Sequence, residues 1–126
     1  MSSAYCSKSN IVDIFNLLNT ERWSDAAGDA ATIATRIARA IDVASDEIDD
    51  ELRSSPYLIP IVSPDGTVPT AIVDIAAKLA GVWLYEGKGV EDRGGDKPVH
   101  RLSSVKGEAH LALANIRTGK RRINAL

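Results

Sequence analysis

The sequence is poor in the residue types that build metal centres, disulfide frameworks and large aromatic cores. It has one cysteine, Cys6, and only two histidines, His100 and His110. This excludes a disulfide framework and a structural zinc site of the Cys/His type. Two tryptophans, three tyrosines and one phenylalanine stand against 17 alanines and 12 isoleucines. Such a composition predicts a core of small and branched side chains, which suits close packing of helices.

Long apolar runs are also lacking. No run approaches the roughly 18 residues that a membrane-spanning helix needs, and the first residues, MSSAYCSKSN, lack the apolar stretch of a signal peptide. We therefore expect synthesis in the cytosol and no membrane partner. A length of 126 residues with 44% hydrophobic residues predicts a single domain over residues 1–126, with little room for a deep substrate cavity.

Charge is distributed unevenly along the chain, although the net charge is only −2. Residues 1–63 carry 5 basic and 10 acidic side chains, a net charge of −5, whereas residues 64–126 carry 10 basic and 7 acidic side chains, a net charge of +3. The overall basic excess that is typical of nucleic-acid-binding proteins is lacking. The two halves predict a molecule with oppositely charged surfaces.

Apolar residues recur at helical spacing in four segments. These segments cover residues 8–18, about 29–53, about 69–86 and about 96–118. The second helix is the longest, and its predicted buried stripe consists of Ile33, Ile37, Ile41, Ala44, Ile48 and Leu52. Its predicted solvent-exposed face consists of Arg36, Arg39, Asp42, Asp46, Asp49 and Asp50. The sequence therefore predicts an all-α, four-helix bundle-like domain with one long central helix.

Helix-capping residues fit these four segments. Ser7 or Ser9 is suited to begin the first helix, and Asp25 or Asp29 the second. Gly119 is suited to follow the last residue of the fourth helix, where a glycine accepts a positive φ. The first helix should bury Ile11, Ile14, Phe15 and Leu18 on one face.

The connecting segments differ from one another in composition. Residues 54–69 hold four of the five prolines and predict a Pro-rich loop or a short hairpin, with a tight turn at Ser63-Pro64-Asp65-Gly66. Residues 87–97 combine glycines with charges and predict an exposed, mobile loop. Residues 118–126 are basic and then apolar, and we expect a flexible tail without a partner in its own chain.

The residue pattern gives little support for a catalytic site. Acidic side chains between Asp46 and Glu51 are spaced so that a helix could present them to Mg²⁺, as in all-α nucleotide pyrophosphohydrolases. Such a site needs carboxylates from a second helix, and the third predicted helix offers only Asp74. The two histidines lie ten residues apart on different faces. We therefore predict no enzyme, and no catalytic, cofactor-binding or metal-binding residues.

Two alternatives remain open at this stage. A small helical module that binds nucleic acid or a regulatory protein would need a basic helix, but the third helix carries only Lys78 as a cation. A magnesium-dependent pyrophosphohydrolase would need the second set of carboxylates described above. The unusual features are otherwise surface features, which favours a role in assembly.

The order of motifs along the whole chain resembles a known family. An opening segment AYCSKSNIVDIFN precedes a long helix ending IARAIDVASDEIDDELR, then a YLIPI stretch and a Val68-Pro69-initiated helix ending KLAGVWLYE. This succession resembles the head-to-tail adaptor family of tailed bacteriophages, also called head-completion or connector proteins, of the Mu-like prophage type. Its most specific part is Ala44 to Leu52, followed by Tyr57 and Pro60. The loop at residues 87–97 is longer than the family pattern leads us to expect.

The resemblance implies a structural virion protein. It implies a homo-oligomeric, dodecameric ring beneath the portal protein that extends the DNA channel and presents a platform for a tail or stopper protein. Genomic DNA would pass through without sequence-specific binding. The expected location is the neck of the virion, and the host cytoplasm before assembly. No catalytic or cofactor residue carries over.

Complementary charges supply a hypothesis for how copies meet in a ring. A closed ring needs two different patches of one subunit to contact each other. We hypothesise that acidic residues of the second helix face the basic residues near the C-terminus of an adjacent copy, and that apolar residues dock to the portal. The candidate subunit-interface residues are Asp46, Glu47, Asp49, Asp50, Arg117, Lys120, Arg121 and Arg122, and the candidate docking residues are Tyr57, Leu58, Ile59, Ile61, Ile123 and Leu126.

Overall fold

The fold is all-α, as predicted. A computed structural model describes residues 4–17, 20, 29–89, 103–120, 122, 123 and 125. Within these residues there are four helices and no strand: α1 (Lys8–Phe15), α2 (Ala30–Leu52), α3 (Thr70–Gly89) and α4 (Ser103–Thr118). Helix α3 packs against each of the other three, and α2 also packs against α4. The predicted anchor Trp23 and the connector at 21–28 lie outside the described residues.

Helix α2 is the longest described helix, with 23 residues. Asp29 begins it, because its carboxylate accepts hydrogen bonds from the Thr32 hydroxyl at 2.7 Å and from the Thr32 N–H at 2.9 Å. These two bonds lower the pKa of Asp29. The predicted buried stripe is confirmed except at Ile41, which is half-buried, while Ala40 is fully buried in its place.

Helix α1 is shorter than the predicted 8–18. The predicted cap Ser7 is confirmed, since the Asn10 side chain accepts a hydrogen bond from the Ser7 N–H at 2.8 Å. Asn16 has a φ of 67° and ends the helix. The predicted burial of Ile14 is wrong, because 38% of its surface is exposed. Ile11 and Phe15 are buried, as predicted. Leu18 lies outside the described residues.

Helix α3 is buried around most of its circumference. Pro69 precedes it, and the Pro69 carbonyl accepts hydrogen bonds from the N–H groups of Ile72 at 2.9 Å and Val73 at 3.1 Å. Small side chains let its neighbours approach closely. A Cβ atom at Gly81 would lie 2.1 Å from Cε2 of Phe15, so α1 and α3 pack this tightly only over a glycine. The buried side chains of α3 are Ile72, Ile75, Ala76, Ala77, Leu79, Ala80, Val82 and Leu84.

The ends of α3 and α4 differ from the predicted boundaries. Helix α3 continues to Gly89, so the first three residues of the predicted loop 87–97 are helical, and its remaining residues lie outside the described part. Helix α4 begins at Ser103, and the predicted start near Asp96 or Pro98 also lies outside. Gly119 follows α4 with a φ of 87°, which confirms its predicted role.

The Pro-rich segment 54–69 is a loop, and the hairpin alternative does not form. Its turn is the predicted one: the Gly66 N–H donates to the Ser63 carbonyl at 2.9 Å, and Gly66 has a φ of 89°. Asp65 stabilises the turn by accepting hydrogen bonds from the hydroxyls of Ser63 and Thr67. These bonds and the Thr67 N–H lower the pKa of Asp65 to about 2. The Ile59-Pro60 peptide bond is cis.

The Phe15–Gly81 contact yields a stability prediction. Gly81→Ala should lower the free energy of unfolding by about 1–3 kcal/mol, because the new methyl group displaces the Phe15 ring. Gly107→Ala in α4 is the matched control: nothing lies within 4 Å of its Cβ position, and we expect a gain of about 0.5–1 kcal/mol. Urea denaturation measures both. Equal effects of the two substitutions would contradict the tight contact.

Candidate assembly interface

The acidic residues at the end of α2 do not form one exposed cluster. The Glu47 carboxylate lies 2.5 Å from Nε2 of His110, and Glu51 lies 2.9 Å from Nε of Arg117. Asp50 pairs with Arg53 on the same helix. Asp46 is exposed, and it has no ion pair among the described residues. Most of the acidic residues of the hypothesised face therefore have a partner within their own chain.

Asp49 was predicted to be exposed, but it is buried. Only 6% of its surface is exposed, and its carboxylate accepts a hydrogen bond from the Tyr5 hydroxyl. The predicted solvent face of α2 is covered here because the chain segment before α1 lies against it. The predicted exposure of Asp49 is therefore wrong, and in this structure its carboxylate is not available to another subunit.

The pairs Glu47–His110 and Glu51–Arg117 join α2 to α4. All four side chains are 38–44% exposed. Pairs this exposed contribute about 0–1 kcal/mol each, so they add little to the stability of the fold. In this structure Arg117 pairs with Glu51 of its own chain, so its contact with an acidic residue of another copy stays a prediction.

A buried hydrogen-bond network centred on Tyr5 links three parts of the chain. The Tyr5 hydroxyl donates to Asp49 and accepts the Ile61 N–H at 2.8 Å, while the Tyr5 N–H donates to the Ser45 hydroxyl at 3.1 Å. Burial raises the pKa of Tyr5, and the hydrogen bond to Asp49 raises it further. The network holds the N-terminal segment, α2 and the Pro-rich loop together.

Sequence reasoning missed this network, although a signal was present. Ser45 and Asp49 are four residues apart, so they lie on one face of α2 directly beside the apolar Ala44 and Ile48. A polar pair at the edge of an apolar stripe is typical of a buried hydrogen-bonding site. Its partner, Tyr5, lies 44 residues away from Asp49, and no local pattern points to it.

The candidate docking residues of the loop have three different environments. Ile61 is fully buried, so in this structure it presents no surface for docking. Tyr57 and Ile59 are half-buried against the core. Leu58 is 65% exposed and is the apolar side chain of this loop that a partner can reach.

The C-terminal segment has a partner within the chain, contrary to the prediction. The Ile123 N–H donates to the Tyr57 hydroxyl at 3.2 Å, and the side chains of Ile123 and Ala125 pack against the core. Lys120 and Arg122 are exposed. Arg121 and Leu126 lie outside the part of the chain whose side chains are described. A shallow depression of about 290 Å³ is lined by Ser63, Asp65, Thr67, Val68, Pro69, Thr70, Ala71, Arg122 and Ile123.

The described residues do not converge on a metal ion or a nucleophile. Among them, no group of three or more His, Cys, Asp or Glu side chains is placed to hold a metal. Burial raises the pKa of the Cys6 thiol to about 12, which disfavours the reactive thiolate. Asp74, the acid considered as a second ligand source, lies 3.0 Å from Lys78. None of the described helices is long and apolar enough to cross a membrane.

Comparison with known proteins identifies a matching family. The model of a protein family described as "Bacteriophage Mu, Gp36" matches residues 5–125. No curated protein and no solved structure matches the chain.

The Tyr5 network yields a second stability prediction. Tyr5→Phe should lower the free energy of unfolding by about 2–4 kcal/mol, because it leaves the Asp49 carboxylate and the Ile61 N–H buried without their partner. Thermal and urea denaturation measure the change. Asp46→Asn, at an exposed acid of the same helix, is the control and should change stability by less than about 0.5 kcal/mol. A loss below 1 kcal/mol in Tyr5→Phe would argue against the network.

Proposed function

Because the chain belongs to the Bacteriophage Mu, Gp36 family, we propose that it is a structural protein of the phage particle, a head-to-tail connector at the neck. The family match over residues 5–125 is the observation that carries this proposal. In this role the subunits dock as a ring under the portal protein, extend the DNA channel and hold a tail or stopper protein. DNA passes through the ring without sequence-specific contacts.

The geometry of the acidic residues supports a non-enzymatic role. A magnesium site requires several carboxylate oxygens that point to one position. Here the carboxylates of Glu47, Asp49 and Glu51 point to three different partners, namely His110, Tyr5 and Arg117. This arrangement does not favour pyrophosphohydrolase chemistry. The pairing of Lys78 with Asp74 likewise does not favour a nucleic-acid-binding surface on this part of α3.

The charges that make no contact with another helix support a narrower version of the subunit interface. Asp46 has no ion pair among the described residues, and the highly exposed Asp50 pairs only with Arg53 of its own helix, so both lie on the outer side of α2. Lys120 and Arg122 remain exposed after α4. We infer that these two acids of one subunit face these two bases of the next, since complementary charge orients subunits during encounter.

The connector role predicts a specific assembly defect. A phage that lacks this chain should accumulate DNA-filled heads and separate tails, because a connector acts after packaging and before tail attachment. Electron microscopy of lysates, with a plasmid copy of the wild-type chain as the control, measures the two populations. Tailed infectious particles in the absence of the chain would refute the role, and a block before DNA packaging would indicate an earlier function.

The subunit interface predicts a charge-reversal pattern. The pair of changes Asp46→Lys and Asp50→Lys should weaken self-association, and adding Lys120→Glu and Arg122→Glu should restore it by recreating the opposite charges. Native mass spectrometry of rings assembled on the portal, at low and high salt, measures this. Glu108→Lys, at another exposed acid, is the matched control. If the fourfold variant assembles no better than the double variant, these residues do not face each other.

A further inference from the structure

The C-terminal segment turns back onto the Pro-rich loop. Gly119 ends α4 with a φ of 87°, and its N–H donates to the Ile116 carbonyl at 3.3 Å. The chain then reaches Tyr57, whose hydroxyl accepts the Ile123 N–H at 3.2 Å. Arg122 and Ile123 also line the depression formed with the turn region of the loop. The tail thus contacts both ends of the loop that contains the exposed Leu58.

The loop is held to the rest of the domain at two places of very different strength. At Ile61 the anchor is deep: the residue is fully buried, and its N–H is bound by Tyr5, which is only 2% exposed. At Tyr57 the anchor is shallow, since it consists of the hydrogen bond from Ile123 and the half-buried side chains of Ile123 and Ala125. Partly exposed contacts of this kind open locally far more often than buried ones.

We propose that the described tail residues Arg122, Ile123 and Ala125 belong to a releasable strap that holds the Tyr57 side of the loop against the bundle. When the strap leaves, the Tyr57 hydroxyl loses its partner, and the half-buried face of Tyr57 becomes accessible. The Ile61 anchor stays in place, so the loop opens on one side only. A molecule that binds the tail and displaces it therefore also exposes apolar surface on the loop. Binding at the tail is thereby coupled to the accessibility of the loop.

The exposed charges beside the strap make release by a partner feasible. Arg122 and Lys120 point to solvent on the segment that carries Ile123, and no ion pair holds either of them within the described part of the chain. A partner can bind these cations without first breaking a contact. The strap is independent of the proposed connector role, because it concerns contacts within a single chain.

Amide hydrogen exchange, measured residue by residue by NMR, tests the strap. In Ile123→Ala, and in a chain ending at Lys120, the Tyr57 amide, which is bound to the Ser55 hydroxyl at 3.2 Å, should exchange about five- to tenfold faster, because opening becomes more frequent. Exchange should not change at Ile61, in the middle of α2, or at Ser63, whose N–H is bound to the Thr67 carbonyl at 2.7 Å beyond the Ile61 anchor. Arg122→Ala, an exposed neighbour in the same segment, is the control and should leave all four sites unchanged.

Two results would overturn the strap. Unchanged exchange at Tyr57 would mean that the tail rests on the loop without holding it. Equal acceleration at Ile61 and throughout α2 would mean that the tail stabilises the whole domain and does not govern the loop. Tyr57→Phe separates the contribution of the hydrogen bond from that of side-chain packing, since it keeps the ring and removes the acceptor of the Ile123 N–H. It should accelerate exchange in the same direction as Ile123→Ala, by a smaller factor.

Discussion

The hydroxyl group of Tyr5 makes the contact on which the arrangement of the domain depends. It joins Asp49, 44 residues away, to the backbone of Ile61, 56 residues away. A buried carboxylate is strongly disfavoured without a hydrogen-bond donor, so the segment before α1 has to lie against α2. The same hydroxyl accepts the N–H of Ile61, which brings the Pro-rich loop down onto the bundle. Loop and N-terminal segment are therefore placed by one polar group, while α1, α3 and α4 are placed by apolar packing.

The helices were predictable from the sequence because their signals are local. Periodic apolar residues, the Asp29 cap, the turn at Ser63–Gly66 and Gly119 each act over a few positions, and the structure confirms them. What covers each helix face is not a local property. Asp49 and Ile61 were both predicted to be accessible, and both are buried by segments distant in sequence. The likewise unforeseen pairing of Glu51 with Arg117 depends on the packing of α4 against α2.

Because Asp49 and Ile61 are buried, a partner or a second copy can reach fewer of the predicted contact residues. A count of charged residues along the chain gives two complementary halves, but Glu47 and Glu51 contact His110 and Arg117 of the same chain where α2 meets α4. Leu58 in the loop and Lys120 and Arg122 in the tail are among the side chains that stay exposed.

The buried small side chains of α3 have a consequence for conformational entropy. Ala76, Ala77 and Ala80 have no side-chain rotamers to lose on folding, and Gly81 has no side chain at all. The centre of the bundle is therefore ordered with little loss of side-chain entropy, and it offers few alternative packings between which the domain might fluctuate. Any two copies of the chain should accordingly share nearly the same interior, and their differences should be confined to the loop and the tail.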